Sequence, residues 1–166
     1  MQALGGAVAG YEANGGFLLG FDAQGPQGPL PALMTRDAML PMLAVLAASK
    51  GAPVSRLIAA QPARFTAADR LQQVPTDAST ALVAALTDDP QDRATFVAAL
   101  GFVERGVDLT DGLRITATDG RIVHLRPSGN APELRLYVEA ATPAIAASTL
   151  QAGLALLRNR VDGLVR

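Results

Sequence analysis

The sequence predicts an α+β domain over residues 60–166, in which helices pack on a small antiparallel sheet. Apolar and polar residues alternate through DGLRITATDG (111–120) and ELRLYVEA (133–140), as in half-buried strands. Asp119-Gly120 is a hairpin turn signal, and RIVHLR follows it as the return strand. Segments with helical character precede and follow these strands, so sheet and helices are separated along the chain.

The N-terminal part predicts a strand, a turn and a second strand over residues 7–20. The Pro/Gly-rich segment 21–32 predicts a loop. A helix should follow, with Thr35 or Asp37 as its N-cap and Gly51 as its C-terminal stop.

The segment GAPVSRLIAAQPARF contains two prolines and no clear period, which predicts a boundary or hinge near residue 60. Residues 65–71 are compatible with a strand or a short turn of helix. Two helices then follow, separated at DDP (88–90), where Asp89 can cap the second. Thr142 can cap a C-terminal helix whose apolar stripe should cover one face of the sheet.

Composition excludes several classes of protein. Apolar residues make up 49% of the 166 residues, which is enough for a packed core. The net charge of -1 argues against a general nucleic-acid binder, and the absence of cysteine excludes disulfides and thiolate metal sites. The sequence has no apolar run of the ~20 residues that span a bilayer, and its start lacks the basic region of a secretory signal. We therefore expect a soluble, cytoplasmic protein.

The segment RPSGNAP (126–132) joins two predicted strands and is dense in groups that bind anions. Arg126 supplies a fork of donors that suits a phosphate, Ser128 a hydroxyl and Asn130 an amide. Gly129 lets successive backbone N–H groups converge on one anion. Because Pro, Ser, Gly and Asn all form turns, the composition is compatible with a phosphate loop or with a plain hairpin connection.

The segment GYEANGGFLLG (10–20) raises a similar choice. It places Glu12 and Asn14 beside the adjacent glycines Gly15 and Gly16, between two apolar runs. A hairpin turn would use the glycines for their backbone freedom. A loop that holds a polyhydroxylated ligand would use the carboxylate and the amide as well.

RPSGNAPELRLYVEA resembles the phosphate-binding loop and following strand of the α-D-phosphohexomutase family, which includes phosphomannomutase and phosphoglucomutase. GYEANGGFLLG resembles the sugar-recognition loop of the same family. The two loops occur in the family's order, and the resemblance covers essentially the whole chain. It implies that Arg126 and the loop residues 128–130 hold the phosphate of a hexose phosphate. It also implies that Glu12, Asn14 and Gly15 contact the sugar.

Members of this family have four domains. The resemblance implies that residues 1–58 are the C-terminal portion of the third, α/β domain. Residues 59–166 would be the fourth domain, a four-stranded antiparallel sheet with packed helices. The family's phosphoserine motif and magnesium loop have no counterpart in this sequence. We therefore expect the C-terminal part of a mutase, most similar to phosphomannomutase, that interconverts hexose 1-phosphate and hexose 6-phosphate. Magnesium would be bound by the parent enzyme and not by this part, which should be inactive without the N-terminal domains.

The sequence departs from the family pattern at four positions. Asn14 replaces a usual serine, Gly16 a common histidine, Asn130 a usual threonine and Ala131 a glutamate. Asn can still donate hydrogen bonds, so phosphate binding should survive. The preference for mannose or glucose phosphates stays open, since the two sugars differ at C2 and no residue visibly reads C2.

His124 shares a predicted strand face with Arg126, and it could lie beside the phosphate or serve as a partly exposed packing residue. Arg135 and Tyr137 are predicted to be solvated surface residues. Two alternatives remain open for the whole chain: a stand-alone phosphosugar-binding or regulatory module, and a purely structural domain. A partial third domain would expose apolar faces, so residues 1–58 should pack poorly or pair with a second copy.

Overall fold

A computed structural model describes residues 6–11, 15–25 and 27–164. The chain divides into two compact units, which we call the N-terminal unit (Met1–Pro62) and the C-terminal unit (Ala63–Arg166).

The N-terminal unit contains a three-stranded antiparallel sheet in the order β1-β2-β5, a separate hairpin of β3 and β4, and two helices. Its elements are β1 (Ala9–Tyr11), β2 (Phe17–Leu19), β3 (Ala23–Gly25), β4 (Gly28–Leu30), β5 (Leu33–Asp37), α1 (Met39–Ser49) and α2 (Val54–Ala59).

Local chemistry explains how α1 begins and ends. The N-cap residue is Ala38, one position after the predicted Asp37. The Asp37 carboxylate still accepts hydrogen bonds from the backbone N–H groups of Met39 (3.1 Å) and Leu40 (2.8 Å) in the first turn. Lys50 and Gly51 then adopt positive φ angles of 49° and 79°, which stop the helix.

The expectation of a loop over residues 21–32 is wrong, because β3 and β4 pair there as a short hairpin. Antiparallel pairing needs backbone groups rather than a particular side-chain pattern, so a Pro/Gly-rich segment can form it without a period-two signal. Gly28, at φ 133°, begins the return strand in a conformation that favours glycine.

The C-terminal unit is a five-stranded antiparallel sheet in the order β6-β10-β9-β8-β7 with three helices. Its elements are β6 (Phe65–Gln72), α3 (Thr76–Asp88), α4 (Pro90–Ala99), β7 (Glu104–Asp108), β8 (Leu113–Ala117), β9 (Ile122–Pro127), β10 (Glu133–Ala140) and α5 (Pro143–Leu164).

The α+β class is confirmed, but the expected four-stranded sheet has five strands. Residues 65–71, which were compatible with strand or helix, lie in β6, an edge strand paired with β10. The opposite edge, β7, has no alternating pattern because it is largely exposed and its pairing with β8 shifts register between Glu104 and Gly106.

One face of this sheet forms the core. Residues at alternate positions of the three central strands are fully buried, among them Leu113, Ile115, Val123, Leu125 and Leu136. They cluster with apolar side chains of the three helices, including Leu86, Phe96 and Leu157. The other face of the sheet therefore carries the intervening, mostly polar residues of the same strands.

Caps and turns follow the sequence signals. Asp89 accepts hydrogen bonds from the N–H groups of Gln91 (2.9 Å) and Asp92 (3.0 Å) at the start of α4. Thr142 accepts one from the Ile145 N–H at the start of α5 (3.2 Å). Within the described residues, we find no helix that is both long enough and apolar enough to cross a bilayer.

Candidate functional site

The segment 126–132 connects β9 to β10, which are direct neighbours in the sheet. Its ends are fixed by backbone hydrogen bonds: the Ser128 N–H donates to the Glu133 carbonyl (3.0 Å), and the Val74 N–H donates to the Pro132 carbonyl (3.0 Å). Gly129 and Asn130, at the tip, are exposed. The loop is therefore held by a packed scaffold while its tip faces solvent.

Ser128 is the most buried residue of this loop, at 4% exposure. Its hydroxyl makes no hydrogen bond to any residue that the structure describes. Since no buried side-chain oxygen or nitrogen of the described residues lacks a partner, the hydroxyl oxygen itself still reaches solvent. Water or a ligand can complete its hydrogen bonds there. The Ser128 hydroxyl is therefore available to a ligand, although the residue as a whole is mostly buried.

Arg126 lies at the start of the loop, and its Nε atom donates a hydrogen bond to Asp111 Oδ1 (2.9 Å). The two side chains are 42% and 61% exposed, so this surface ion pair contributes little to stability. No acceptor among the described residues takes a hydrogen bond from either terminal nitrogen of the Arg126 guanidinium. The pair instead orients a guanidinium whose outer nitrogens can bind an anion.

Asp111 was not predicted as a site residue, and its position depends on Gly112. A Cβ on Gly112 would lie 2.4 Å from the Leu125 carbonyl oxygen, and the residue adopts φ 88°. This tight turn brings the Asp111 carboxylate to Arg126 and its backbone carbonyl to His124 Nε2. The Asp-Gly pair directly before a strand indicates a turn at Asp111. The sequence does not indicate that this turn contacts β9.

His124 lies on the same sheet face as Arg126, two residues earlier in β9. Its ring packs against that of Tyr137, with centroids 5.6 Å apart and planes at 33°. Because a carbonyl oxygen accepts, the ring nitrogen that faces Asp111 must carry the proton. His124 thus lies beside the 126–132 loop and, like Arg126, contacts Asp111.

The second predicted loop lies in the N-terminal unit. Glu12 and Asn14 fall outside the residues that the structure describes. Gly15 is exposed and adopts φ 90°, a conformation that favours glycine in the turn between β1 and β2. The two predicted strands are present as β1 and β2, with Tyr11 paired with Phe17.

Gly16 is buried against Arg36, a residue that sequence reasoning did not select. A Cβ on Gly16 would lie 2.9 Å from Arg36 Cγ and 3.1 Å from its Nε. A cavity of about 260 Å³ is lined by these two residues with Gly10, Tyr11 and Leu18. A histidine at position 16, common in the resembled family, would require the Arg36 side chain to move.

Comparison with known proteins identifies the family. Residues 63–155 match the family model of the phosphoglucomutase/phosphomannomutase C-terminal domain. The chain belongs to the phosphoglucomutase/phosphomannomutase family. The match includes β9, β10 and the 126–132 loop, so this candidate phosphate site lies inside the family's C-terminal domain.

Two relatives extend this similarity over nearly the whole chain. A phosphomannomutase of Salmonella muenchen is 42% identical over 157 residues, which cover 93% of this chain and 32% of the relative. A phosphomannomutase of Sinorhizobium fredii (strain NBRC 101917 / NGR234) is 44% identical over 154 residues, 92% of this chain and 32% of the relative. The chain thus spans about a third of the length of these phosphomannomutases.

The described residues contain no group of three His, Asp or Glu side chains that could hold a metal ion. What the C-terminal unit offers is a guanidinium, a hydroxyl and exposed backbone amides on a fixed loop. These groups can bind and orient an anion.

Proposed function

We propose that this chain provides the substrate-recognition part of a phosphohexomutase, most specifically a phosphomannomutase. The 126–132 loop carries the proposal: Asp111 orients the Arg126 guanidinium, and the Ser128 hydroxyl has no described protein partner. Both groups lie in the matched C-terminal domain. We assign phosphate binding to Arg126, Ser128, Gly129 and Asn130.

The chemistry of this loop is positioning. Arg126 would form charge-assisted hydrogen bonds with phosphate oxygens, while the exposed amides at Gly129 and Asn130 add donors. Binding energy from a phosphate that does not react can orient the sugar for chemistry elsewhere. No general acid or base is assigned in this chain.

In the N-terminal unit, we assign sugar recognition to Glu12, Asn14 and Gly15. A carboxylate accepts and an amide both donates and accepts, so the pair suits neighbouring sugar hydroxyls. Gly15, which follows them directly in sequence, adopts a positive φ. Arg36 is an additional candidate at this loop, since it packs on Gly16.

The complete reaction would need groups that this sequence lacks. We propose that a phosphoserine and a magnesium ion are supplied by N-terminal domains of a longer enzyme, as in the resembled family. Phosphoryl transfer between O1 and O6 of mannose or glucose phosphate would then occur in the cytoplasm. Residues 1–58 would be the end of the third domain and residues 59–166 the fourth.

This assignment fits the apolar surface of the N-terminal unit. Met39, Leu43 and Leu46 on α1 are 57–61% exposed, as expected for an incomplete domain. The 166-residue chain alone should therefore show no mutase activity, and it should have a tendency to self-associate. Turnover of mannose 1-phosphate by the purified chain would contradict the assignment. A coding sequence without the N-terminal phosphoserine and magnesium domains would favour a regulatory module.

The decisive experiment uses a full-length mutase that carries this sequence. Replacing Arg126 with Ala should raise the KM for mannose 1-phosphate by at least about tenfold, the effect of losing one charge-assisted hydrogen bond. Arg105→Ala is the matched control, because Arg105 is an exposed arginine on the edge strand β7. Equal KM values for Arg126→Ala and wild type would refute the phosphate role.

A further inference from the structure

Three arginines lie in one row across three neighbouring strands of the C-terminal unit. Arg135 on β10 is the direct register partner of Arg70 on β6, and on its other side of Arg126 on β9. All three lie on the sheet face that is not covered by the core helices, since their neighbours Leu134 and Leu136 are buried. Like charges at directly opposite positions destabilise a sheet, so this row needs an anionic complement.

The described carboxylates supply only part of that complement. Glu133 lies between two of the arginines, with its carboxylate 3.1 Å from Arg70 Nε and 3.6 Å from Arg135 Nε. Asp111 is paired with Arg126 at 2.9 Å. Two carboxylates thus serve three guanidinium groups, so these five side chains together carry a net charge of +1.

Burial distinguishes the carboxylate from the cations beside it. The Glu133 side chain is 16% exposed, whereas those of Arg70 and Arg135 are 51% and 37% exposed. Glu133 engages the Nε side of both guanidinium groups, and no described acceptor takes a hydrogen bond from their terminal nitrogens. Each arginine therefore keeps donors available to a ligand that arrives from solvent.

The surface is concave at this point. A cavity of about 400 Å³ is lined by Ala68, Asp69, Arg70, Arg135 and Tyr137. Ala68 is the register partner of Tyr137, so a methyl group stands opposite an aromatic ring and leaves room between the strands. The Asp69 carboxylate accepts a hydrogen bond from the Arg70 backbone N–H (2.8 Å).

We propose that Arg70 and Arg135 form a second anion-binding subsite, distinct from the 126–132 loop, that takes a phosphate group. Glu133 holds the two guanidinium groups, and Tyr137 adds a hydroxyl at the wall of the cavity. Neighbouring strands lie ~4.8 Å apart, so this subsite is about 5–10 Å from Arg126. The phosphate could be free in solution or belong to a ligand that carries a second anionic group.

The test is a titration of the ¹⁵N-labelled 166-residue chain with inorganic phosphate, followed by amide and arginine Nε–H resonances. We expect saturable shifts at residues 68–70 and 135–137. Arg70→Gln and Arg135→Gln should each weaken that binding by about tenfold, as expected for loss of a charge-assisted contact, and Arg135→Lys should retain part of it. Arg105→Gln, on β7, should leave it unchanged.

The variant Arg126→Ala separates this subsite from the proposed function. If the subsite is independent, shifts at residues 68–70 and 135–137 persist in Arg126→Ala even where shifts at 128–130 are lost. Their loss in Arg126→Ala alone, or equal binding by Arg135→Gln and wild type with an unchanged backbone spectrum elsewhere, would overturn the subsite. An absence of shifts at these residues at saturating phosphate would overturn it as well.

A second arm identifies the source of the phosphate. A hexose 1,6-bisphosphate that bridges both positions should shift residues 128–130 and 135–137 with one common midpoint. Hexose 1-phosphate together with free phosphate should give two separate midpoints if the anion is independent. Either pattern supports the subsite, whereas shifts confined to 128–130 with both ligands contradict it.

Discussion

Large apolar residues are mostly buried in the C-terminal unit and mostly exposed in the N-terminal unit. In the C-terminal unit, the large apolar side chains of the central strands are buried, and Leu113, Ile115 and Leu136 are 0% exposed. In the N-terminal unit, every residue of α1 is exposed or half-exposed, and Leu19 is the one buried large apolar residue among those described. Both units are rich in such residues.

The difference shows that apolar content predicts a core only where the chain provides elements to cover it. The helices of the C-terminal unit lie against a five-stranded sheet, whereas the N-terminal unit has a three-stranded sheet of short strands. Hydrophobic stabilisation scales with the area removed from water. The 126–132 loop, at the junction of β9 and β10, is therefore the candidate site that has a packed scaffold.

The largest expected difference is in the ability of each unit to fold when it is expressed alone. Residues 63–166 expressed alone should fold and unfold in one cooperative transition, because the whole core lies between Leu71 and Val161. Residues 1–62 alone should show no cooperative transition. Thermal unfolding followed by circular dichroism checks both, and a sharp transition for residues 1–62 would break the comparison.

Paired leucine substitutions measure the same contrast at single residues. Leu136→Ala, in the core, should lower the free energy of unfolding by about 2–5 kcal/mol. Leu46→Ala, at a position that is 58% exposed on α1, should change it by less than ~0.5 kcal/mol. Urea unfolding of the 166-residue chain provides both values. A cost above ~2 kcal/mol at Leu46 would mean that α1 has a covered face.

Alanine substitutions at two glycines of the C-terminal unit distinguish the cost of a positive φ from the cost of a steric clash. Both adopt positive φ, but no described atom lies within 4 Å of a Cβ placed on Gly101, whereas one on Gly112 would meet the Leu125 carbonyl at 2.4 Å. Gly101→Ala should cost about 1–2 kcal/mol, and Gly112→Ala about 3 kcal/mol because overpacking adds to it. Comparable costs in urea unfolding would show that the Asp111 turn can relax.

The smallest effect concerns pH. A hydrogen bond from Arg160 lowers the pKa of Asp92, with a further lowering by the charge of Arg160 that desolvation opposes. A lowered folded-state pKa stabilises the fold above the unfolded pKa of about 3.9, and this contribution is lost as pH falls through the folded pKa.

The matched variant is Asp92→Asn. Its deficit in free energy of unfolding should be under ~1 kcal/mol at pH 6, since the Asp92 side chain is 36% exposed and solvent screens the ion pair. The deficit should shrink below about pH 4. Urea unfolding at several pH values measures this. A deficit that grows with acidity would have the wrong sign.

Much of the C-terminal unit was predictable because its signals are local. Alternation in 113–117 and 133–140, the Asp119-Gly120 turn and the Asp89 cap each act within a few residues. The edge strand β7 was not predictable, since an exposed strand with a bulge carries little alternation.

The residues of the candidate sites also divide into those that a local sequence pattern predicts and those that it does not. Arg126 and Ser128 are two positions apart in sequence and belong to one motif, so the loop could be selected from the sequence alone. Asp111, in the turn before β8, contacts Arg126 on β9. Arg70 lies opposite Arg135 because β6 pairs with β10. Contacts of this kind depend on tertiary pairing, which no local pattern encodes.

The central claim is that the 126–132 loop binds the phosphate of a hexose phosphate. Titrating the ¹⁵N-labelled 166-residue chain with mannose 1-phosphate tests it most directly. We predict that the amides of Ser128, Gly129 and Asn130 shift most and that Arg126→Ala abolishes these shifts while Arg105→Ala preserves them. Shifts at 128–130 that survive in Arg126→Ala, or their absence at saturating ligand, would contradict the claim.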